Sequence, residues 1–288
     1  MITPVGSTEH PASVDALEVT VIPGQFRPGV GRLPRREGRR PMLPQHARMC
    51  GPLEAGSALG YLVYPALHDH ESFQLRRTAP GELMFSFFGG DAALPSAHFF
   101  SLRYSIPANG IGVWSEELVF LAPECPLSEV EIRQVRDALL RMGSLWVPPG
   151  AVALRGAVDF RTPPGWDTIF TGVLNQAQPP PLSSLTGRVE TDWYAFDSEF
   201  RYVLQVGDVL SGSGRIPVGQ AFAVPRVETR LRQADEAEAT AFRAVQRDFN
   251  SRKAEVRASN ALGLEYDTLY REASRSGRPR AAAPGPTA

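Results

Sequence analysis

The 288-residue chain carries 30 basic and 31 acidic residues, so its net charge of −1 creates no global field that would draw it to nucleic acid or an anionic membrane. Hydrophobic residues make up 43%, enough for a core, while 26 glycines and 26 prolines favour turns over long helices. Two cysteines, Cys50 and Cys125, exclude a disulfide framework, no run reaches the roughly 18 apolar residues of a membrane helix, and Met1 to Ala12 lacks the basic start and apolar centre of a signal peptide. These features predict a cytoplasmic protein with reduced thiols.

Taken in chain order, residues 1–14 are small and polar and read as disordered. Leu17, Val19 and Val21 alternate with polar residues, a strand signal. Pro23 to Pro44 reads as a solvated loop. Its arginines (Arg32, Arg35, Arg36, Arg39, Arg40) have no interleaved aromatics on which bases could stack, so no nucleic-acid partner is expected. Leu59–Tyr64, Phe73–Arg77, Glu82–Phe88, Phe99–Ile106 and Gly112–Ala122 read as strands separated by Gly and Pro breaks. Ser128 with Glu131 forms a capping box, and Ile132, Val135, Leu139 and Met142 recur at helical spacing until Gly143, predicting a helix over about 128–142. Ala151–Phe160, Asp167–Leu174, Gly187–Phe196, Glu199–Val206 and Gln220–Val224 return to strand patterns. Asp197-Ser198 reads as the turn of a hairpin, and Gly207–Gly214 as a connection. Helices follow over about 235–272, the first with the apolar stripe Phe242, Val245, Phe249 and Val256, the second running through Tyr270. The tail 274–288 reads as disordered.

Many strands, few helices and no βα alternation predict a mainly β (α+β) fold. A β-sandwich, jelly roll or barrel over residues 15–273, with a mid-chain helix and C-terminal helices, fits best.

Phe160-Arg161-Thr162-Pro163-Pro164-Gly165-Trp166-Asp167, then Gly172 with Asn175, then Val189-Glu190-Thr191-Asp192-Trp193 form an ordered set of motifs. Over about residues 155–225 they resemble an uncharacterised bacterial domain family with the patterns F-R-T-P-P-G-W, G-x-x-N and V-E-T-D-W. Where that family reads F-T-M-N-W, this chain has Ser198-Glu199-Phe200-Arg201-Tyr202, so no role of that Asn-Trp pair carries over. The resemblance implies a setting in specialised-metabolite biosynthesis and supplies no mechanism.

Three constellations could carry chemistry. If 187–196 is one strand, Glu190 and Asp192 share a face about 7 Å apart, as an acid–base pair requires; the structural alternative is a carboxylate bonded to Arg161 or Arg188. The Pro163-Pro164-Gly165 turn would present Trp166 to a ligand or form a rigid corner. His68-Asp69-His70 with His98 partly resembles the cupin pattern and could hold a transition metal, or be a polar turn. No Walker loop or G-x-S-x-G elbow occurs, and no cofactor is predicted apart from the transition metal of the histidine reading. The sequence therefore suggests a small-molecule enzyme with Glu190 and Asp192 as catalytic residues and Arg161, Trp166, Asn175 and Trp193 binding substrate. The rivals are a cupin-like metal-dependent oxygenase or isomerase using His68, His70 and His98, and a non-catalytic ligand- or partner-binding module. A homodimer is compatible with all three.

Overall fold

The structure, a computed structural model, describes residues 17–37, 43, 50–90, 96–105, 115–141, 151–176, 182–255, 257–259, 263 and 265–269. The ends read as disordered, Arg39 and Arg40 of the Arg-rich segment, and Met142 and Gly143 at the expected helix end lie outside these residues. The chain divides into two compact units, Glu18–Val227 and one comprising Met1–Leu17 with Glu228–Ala288.

The first unit opens with β1 (Thr20–Pro23), α1 (Gly51–Ser57), β2 (Tyr61–Val63), β3 (Ser72–Ala79), β4 (Glu82–Gly89), β5 (Ala97–Ser105) and β6 (Ser115–Leu121). Next come α2 (Glu129–Leu139), β7 (Leu140–Arg141), β8 (Ala151–Arg155), β9 (Val158–Arg161), β10 (Trp166–Thr171), β11 (Ser183–Leu185) and β12 (Gly187–Val189). It ends with β13 (Glu199–Val203), β14 (Val209–Ser213) and β15 (Gly219–Pro225). These strands build a five-stranded sheet β14-β3-β4-β5-β6, two four-stranded sheets β12-β10-β15-β2 and β11-β13-β8-β7, and the pair β1-β9, all antiparallel. The fold is mainly β, as the strand patterns predict; among the described residues no sheet closes into a barrel. Among them, too, no helix is long and apolar enough to cross a membrane.

Alternation decides which faces are buried. Phe73 and Leu75 on β3, and Leu83, Phe85 and Phe87 on β4, point inward between more exposed neighbours. They meet Phe100 of their own sheet and Val63, Leu154, Phe160, Phe170 and Phe200 from the other sheets in one continuous core. Helix α2 adds Ile132, Val135 and Leu139 to it. The helix starts at the expected capping box: the Ser128 N–H donates to Glu131 Oε2 at 2.8 Å and the Glu131 N–H to Ser128 Oγ at 3.3 Å.

Four expected elements differ. The stretch 151–160 is two strands in different sheets, because the chain turns at Gly156-Ala157: a Cβ at Gly156 would stand 2.7 Å from Val63 Cγ1, and the two N–H groups donate to Ser198 O (3.1 Å) and Tyr64 O (2.8 Å). The stretch 187–196 is a strand only to Val189, and β12 pairs with β10 rather than with β13, so no hairpin turns at Asp197-Ser198. The Gly/Ser-rich stretch 207–214 contains strand β14, since Gly212, lacking a Cβ, leaves room for the Phe73 ring on its partner strand. The arginines of the expected solvated loop are engaged: Arg27 forms a bidentate pair with buried Glu71 (2.8 and 2.9 Å), Arg32 with Asp69 (2.9 and 2.7 Å), and Arg35 donates to the Tyr64 hydroxyl (2.9 Å).

In the second unit, α3 (Glu236–Glu255) covers the stripe positions Phe242, Val245 and Phe249. The stretch beyond Gly263 expected to be a second helix instead contains the strand β17 (Glu265–Asp267), which pairs antiparallel with β16 (Arg257–Ser259).

Gly219 opens β15 where a Cβ would lie 1.9 Å from Cδ1 of the fully buried Phe200. Gly219→Ala therefore overpacks the core and is expected to lower unfolding free energy by about 1–3 kcal/mol in urea titration. In a Phe200→Leu background the loss should be smaller, a non-additivity that identifies the ring as the obstacle.

Candidate functional site

The segments Phe160–Asp167 and Val189–Trp193 meet in space and tie to each other. Thr162, Thr168 and Thr191 are buried, and the Thr191 hydroxyl lies 2.8 Å from that of Thr162 and 2.7 Å from that of Thr168. Thr162 Oγ1 also donates to the Trp166 carbonyl at 2.6 Å, closing the Pro163-Pro164-Gly165 turn, where Gly165 holds a left-handed φ of 80°. Trp166 is half-buried at the start of β10, in the corner role.

Beyond Val189 the chain turns rather than continuing as a strand. The Trp193 and Tyr194 N–H groups donate to the Glu190 carbonyl at 3.3 and 2.9 Å. This overturns the expected geometry in which Glu190 and Asp192 alternate on one strand face. The reason is local: Thr191 and Asp192 spend their side chains on nearby groups, a competitor to ladder formation. Asp192 accepts the Gly165 N–H (2.9 Å) and the Arg226 guanidinium (2.7 Å), and Arg226 first, then Gly165, hold its carboxyl below the usual carboxylate range. Glu190 accepts the Trp193 indole N–H at 2.5 Å and lies 3.4 Å from Arg226. Asp167, also buried, accepts from Arg226 (2.6 and 2.8 Å) and from Arg188 (2.6 Å). Burial alone would raise the Asp167 pKa, but the two guanidiniums outweigh it and keep the carboxyl ionised below its ordinary range.

Beside this clamp lies a cleft of about 560 Å³, inside the size range of small-molecule sites. It brings together Arg161, Asp192 and Trp193 of the sequence-selected residues. Asn175 is elsewhere. It adopts a left-handed φ of 55°, and its amide donates to Leu53 O and Ser57 Oγ, both at 3.2 Å, fastening α1 beside a smaller cavity of about 180 Å³.

The histidines do not converge. His68 and His70 stack with parallel rings 5.5 Å apart in the turn before β3, whose Asp69 is bound by Arg32. His98 is stacked against both Phe88 (4.9 Å) and Phe120 (4.3 Å), with Nε2 2.8 Å from Ser101 Oγ. Among the described residues no group of three His, Cys, Asp or Glu side chains is arranged to hold a metal. The cupin-like arrangement of His68, His70 and His98 thus lacks a meeting point, because the strand pairing places His98 in an aromatic stack of its own.

The same cleft contains two carboxylates that sequence reading passed over, Asp159 and Asp197. Asp159 lies on β9 just past the Gly156-Ala157 corner. Burial pushes its carboxyl above the ordinary range; Asp197 adds like-charge repulsion, and the Ser198 N–H (2.7 Å to Oδ1) and Arg155 compensate only in part. Asp197 pairs with Arg155 at 3.1 Å and accepts the Gln25 amide at 3.2 Å. A carboxyl raised by desolvation next to a charged one is the arrangement by which proteins divide acid and base roles between two carboxylates. The signal available in the sequence was the alternation Val158-Asp159-Phe160-Arg161, which puts Asp159 and Arg161 on one face once the break at Gly156 is known.

Comparison of the chain with protein-family models, with curated proteins and with solved structures finds no significant match.

The clamp makes a prediction of its own. Asp167 has a depressed folded-state pKa, so its stabilisation is present above the unfolded carboxylate pKa of about 3.9 and is lost as pH falls through the folded value. Asp167→Asn should lower unfolding free energy at pH 7 by about 1.5–3 kcal/mol, the value of hydrogen bonds to charged groups. In thermal melts across pH, the gap from wild type should narrow as pH falls below the unfolded carboxylate pKa and close once the folded value is passed.

Proposed function

We propose that the chain binds a small molecule in the cleft between Trp193 and Asp159 and acts on it by non-redox acid–base chemistry, with Asp159 as the proton-transferring group. The carrying observation is the upward-shifted, part-buried Asp159 carboxyl inside a cleft of small-molecule size. Oδ1 accepts the Ser198 N–H, which fixes the orientation of the carboxyl in the cleft. Asp197 stays with Arg155, and its negative charge adds to the proton affinity of Asp159. A proton taken from one atom of the substrate by Asp159 and returned to another balances without a co-reactant. Isomerisation, elimination and ring closure all belong to this class. The part assigned at first to Glu190 and Asp192 passes to Asp159 because Asp192 has both oxygens engaged in the clamp.

Two measurements test this. Because the folded-state pKa of Asp159 is raised, its contribution to stability is complete below the unfolded pKa and declines as pH rises through the folded value. Asp159→Asn keeps an acceptor for the Ser198 N–H and removes the buried charge. The variant should therefore melt higher than wild type at pH 7, with the difference vanishing below about pH 4. Carboxyl ¹³C NMR should show Asp159 titrating above the ordinary aspartate value of about 3.9. Titration at or below that value removes the proton-transfer role. Against a turned-over substrate, the same variant should lose about 10²–10⁴-fold in kcat with no loss of Tm.

A further inference from the structure

On β9, Val158 and Phe160 are buried while Asp159 and Arg161 are more exposed and line the cleft, about 7 Å apart along the strand. The charges around the cleft are unequally satisfied. Asp192 shares Arg226 with Asp167 and Glu190, Asp197 pairs with Arg155, and Asp159 accepts the Ser198 N–H. The Arg161 guanidinium makes no hydrogen bond or ion pair to any described residue, its backbone being paired with Thr20 of β1, and it is not among the groups that shift Asp159. Among the described residues, the Arg161 guanidinium is thus a charged group of the cleft left open to a ligand. Beside it stands Trp193, 68% exposed, with its indole N–H fixed on Glu190 and its ring flanked by Tyr194 at 5.5 Å. A flat apolar surface held in place and open to solvent is a preorganised platform for a planar molecule.

Resting on the reading of the cleft as a small-molecule site, we infer that its substrate is a planar carboxylate, its anionic group on Arg161 and its flat body on Trp193. The guanidinium offers a two-pronged match to a carboxylate. A phosphate monoester, largely a dianion at neutral pH, is disfavoured, because one arginine faces three carboxylates in the same cleft. A carboxylate bound at Arg161 directs the adjoining carbons toward Asp159, two residues back on the same strand face, where a proton can be exchanged.

The test uses the full chain and three probes of one shape: cinnamate, cinnamamide and cinnamyl alcohol, titrated into ¹⁵N-labelled protein with cleft resonances assigned. Cinnamate should shift the Arg161 and Trp193 side-chain signals and bind at least tenfold tighter than the two neutral probes. Arg161→Gln, checked for unchanged Tm, should reduce cinnamate binding to the level of cinnamamide, and Arg161→Lys should recover part of it. Equal binding of all three probes at the cleft, abolished by Trp193→Ala but indifferent to Arg161→Gln, overturns the carboxylate assignment and leaves the cleft as a site. No shift of any cleft resonance with any probe at millimolar concentration overturns both.

Discussion

The architecture of the cleft turns on one steric fact at Gly156. A strand leaving the β8 edge would normally continue, and the run Ala151 to Phe160 is apolar enough to do so. A side chain at 156 has nowhere to go, since Val63 already fills the space a Cβ would need. The chain bends, and the carbonyls of Ser198 and Tyr64 capture the two N–H groups exposed by the bend. The strand that resumes, β9, pairs with β1 instead of with β13. That change of partner puts Asp159 against the Ser198 N–H and within reach of the Asp197 charge. It also fixes the alternation that buries Phe160 while turning Arg161 outward. Two sheets share one core because the chain passes between them here, and the cleft lies beside that passage.

The clamp around Asp167 and Arg226 keeps the far wall in place. Arg226 extends β15 by one residue, its N–H donating to the Gly165 carbonyl at 2.7 Å, while its guanidinium reaches Asp167, Asp192 and Glu190. Thr191 does the same with hydroxyl hydrogen bonds. In this light the F-R-T-P-P-G-W and V-E-T-D-W motifs are mainly architectural: Thr162, Gly165, Thr191 and Asp192 hold two loops together. Arg161 and Trp193, the motif members left over from that task, line the cleft.

The strand content and the capped helix α2 could be read from sequence because they rest on local physics, alternation and capping within one segment. The sheet partners could not. Gly156 looks like any glycine in an apolar run until Val63 is placed against it, and Ser198 looks like a hairpin turn until β12 is seen to join β10. The same limit applied to the site. Arg161, Asp192 and Trp193 stood out by type and motif and do meet in one cleft, whereas Asp159 sat inside an apparent strand and Asp197 in an apparent turn. The carboxylates with unusual chemistry are those created by the long-range corner. The histidine pattern failed for the converse reason: its spacing was suggestive along the chain, but strand register assigns His98 to an aromatic stack.

Two buried or half-buried carboxylates within one fold allow a comparison that bears on function. Asp167 is given two guanidiniums, and its charge is held despite burial. Asp159 is given the N–H and side chain of Ser198 and a share of the field of Arg155, whose guanidinium pairs with Asp197. The fold thus has the means to satisfy a buried carboxylate and applies them eight residues apart in opposite degrees. Leaving Asp159 under-compensated costs stability at neutral pH, and an asparagine would accept the Ser198 N–H without that cost. Proteins retain such local costs where a site uses the strained group. An ionisable group whose proton is held more tightly than usual, at the wall of a cleft and beside a fixed negative charge, is suited to moving that proton rather than to holding the structure together.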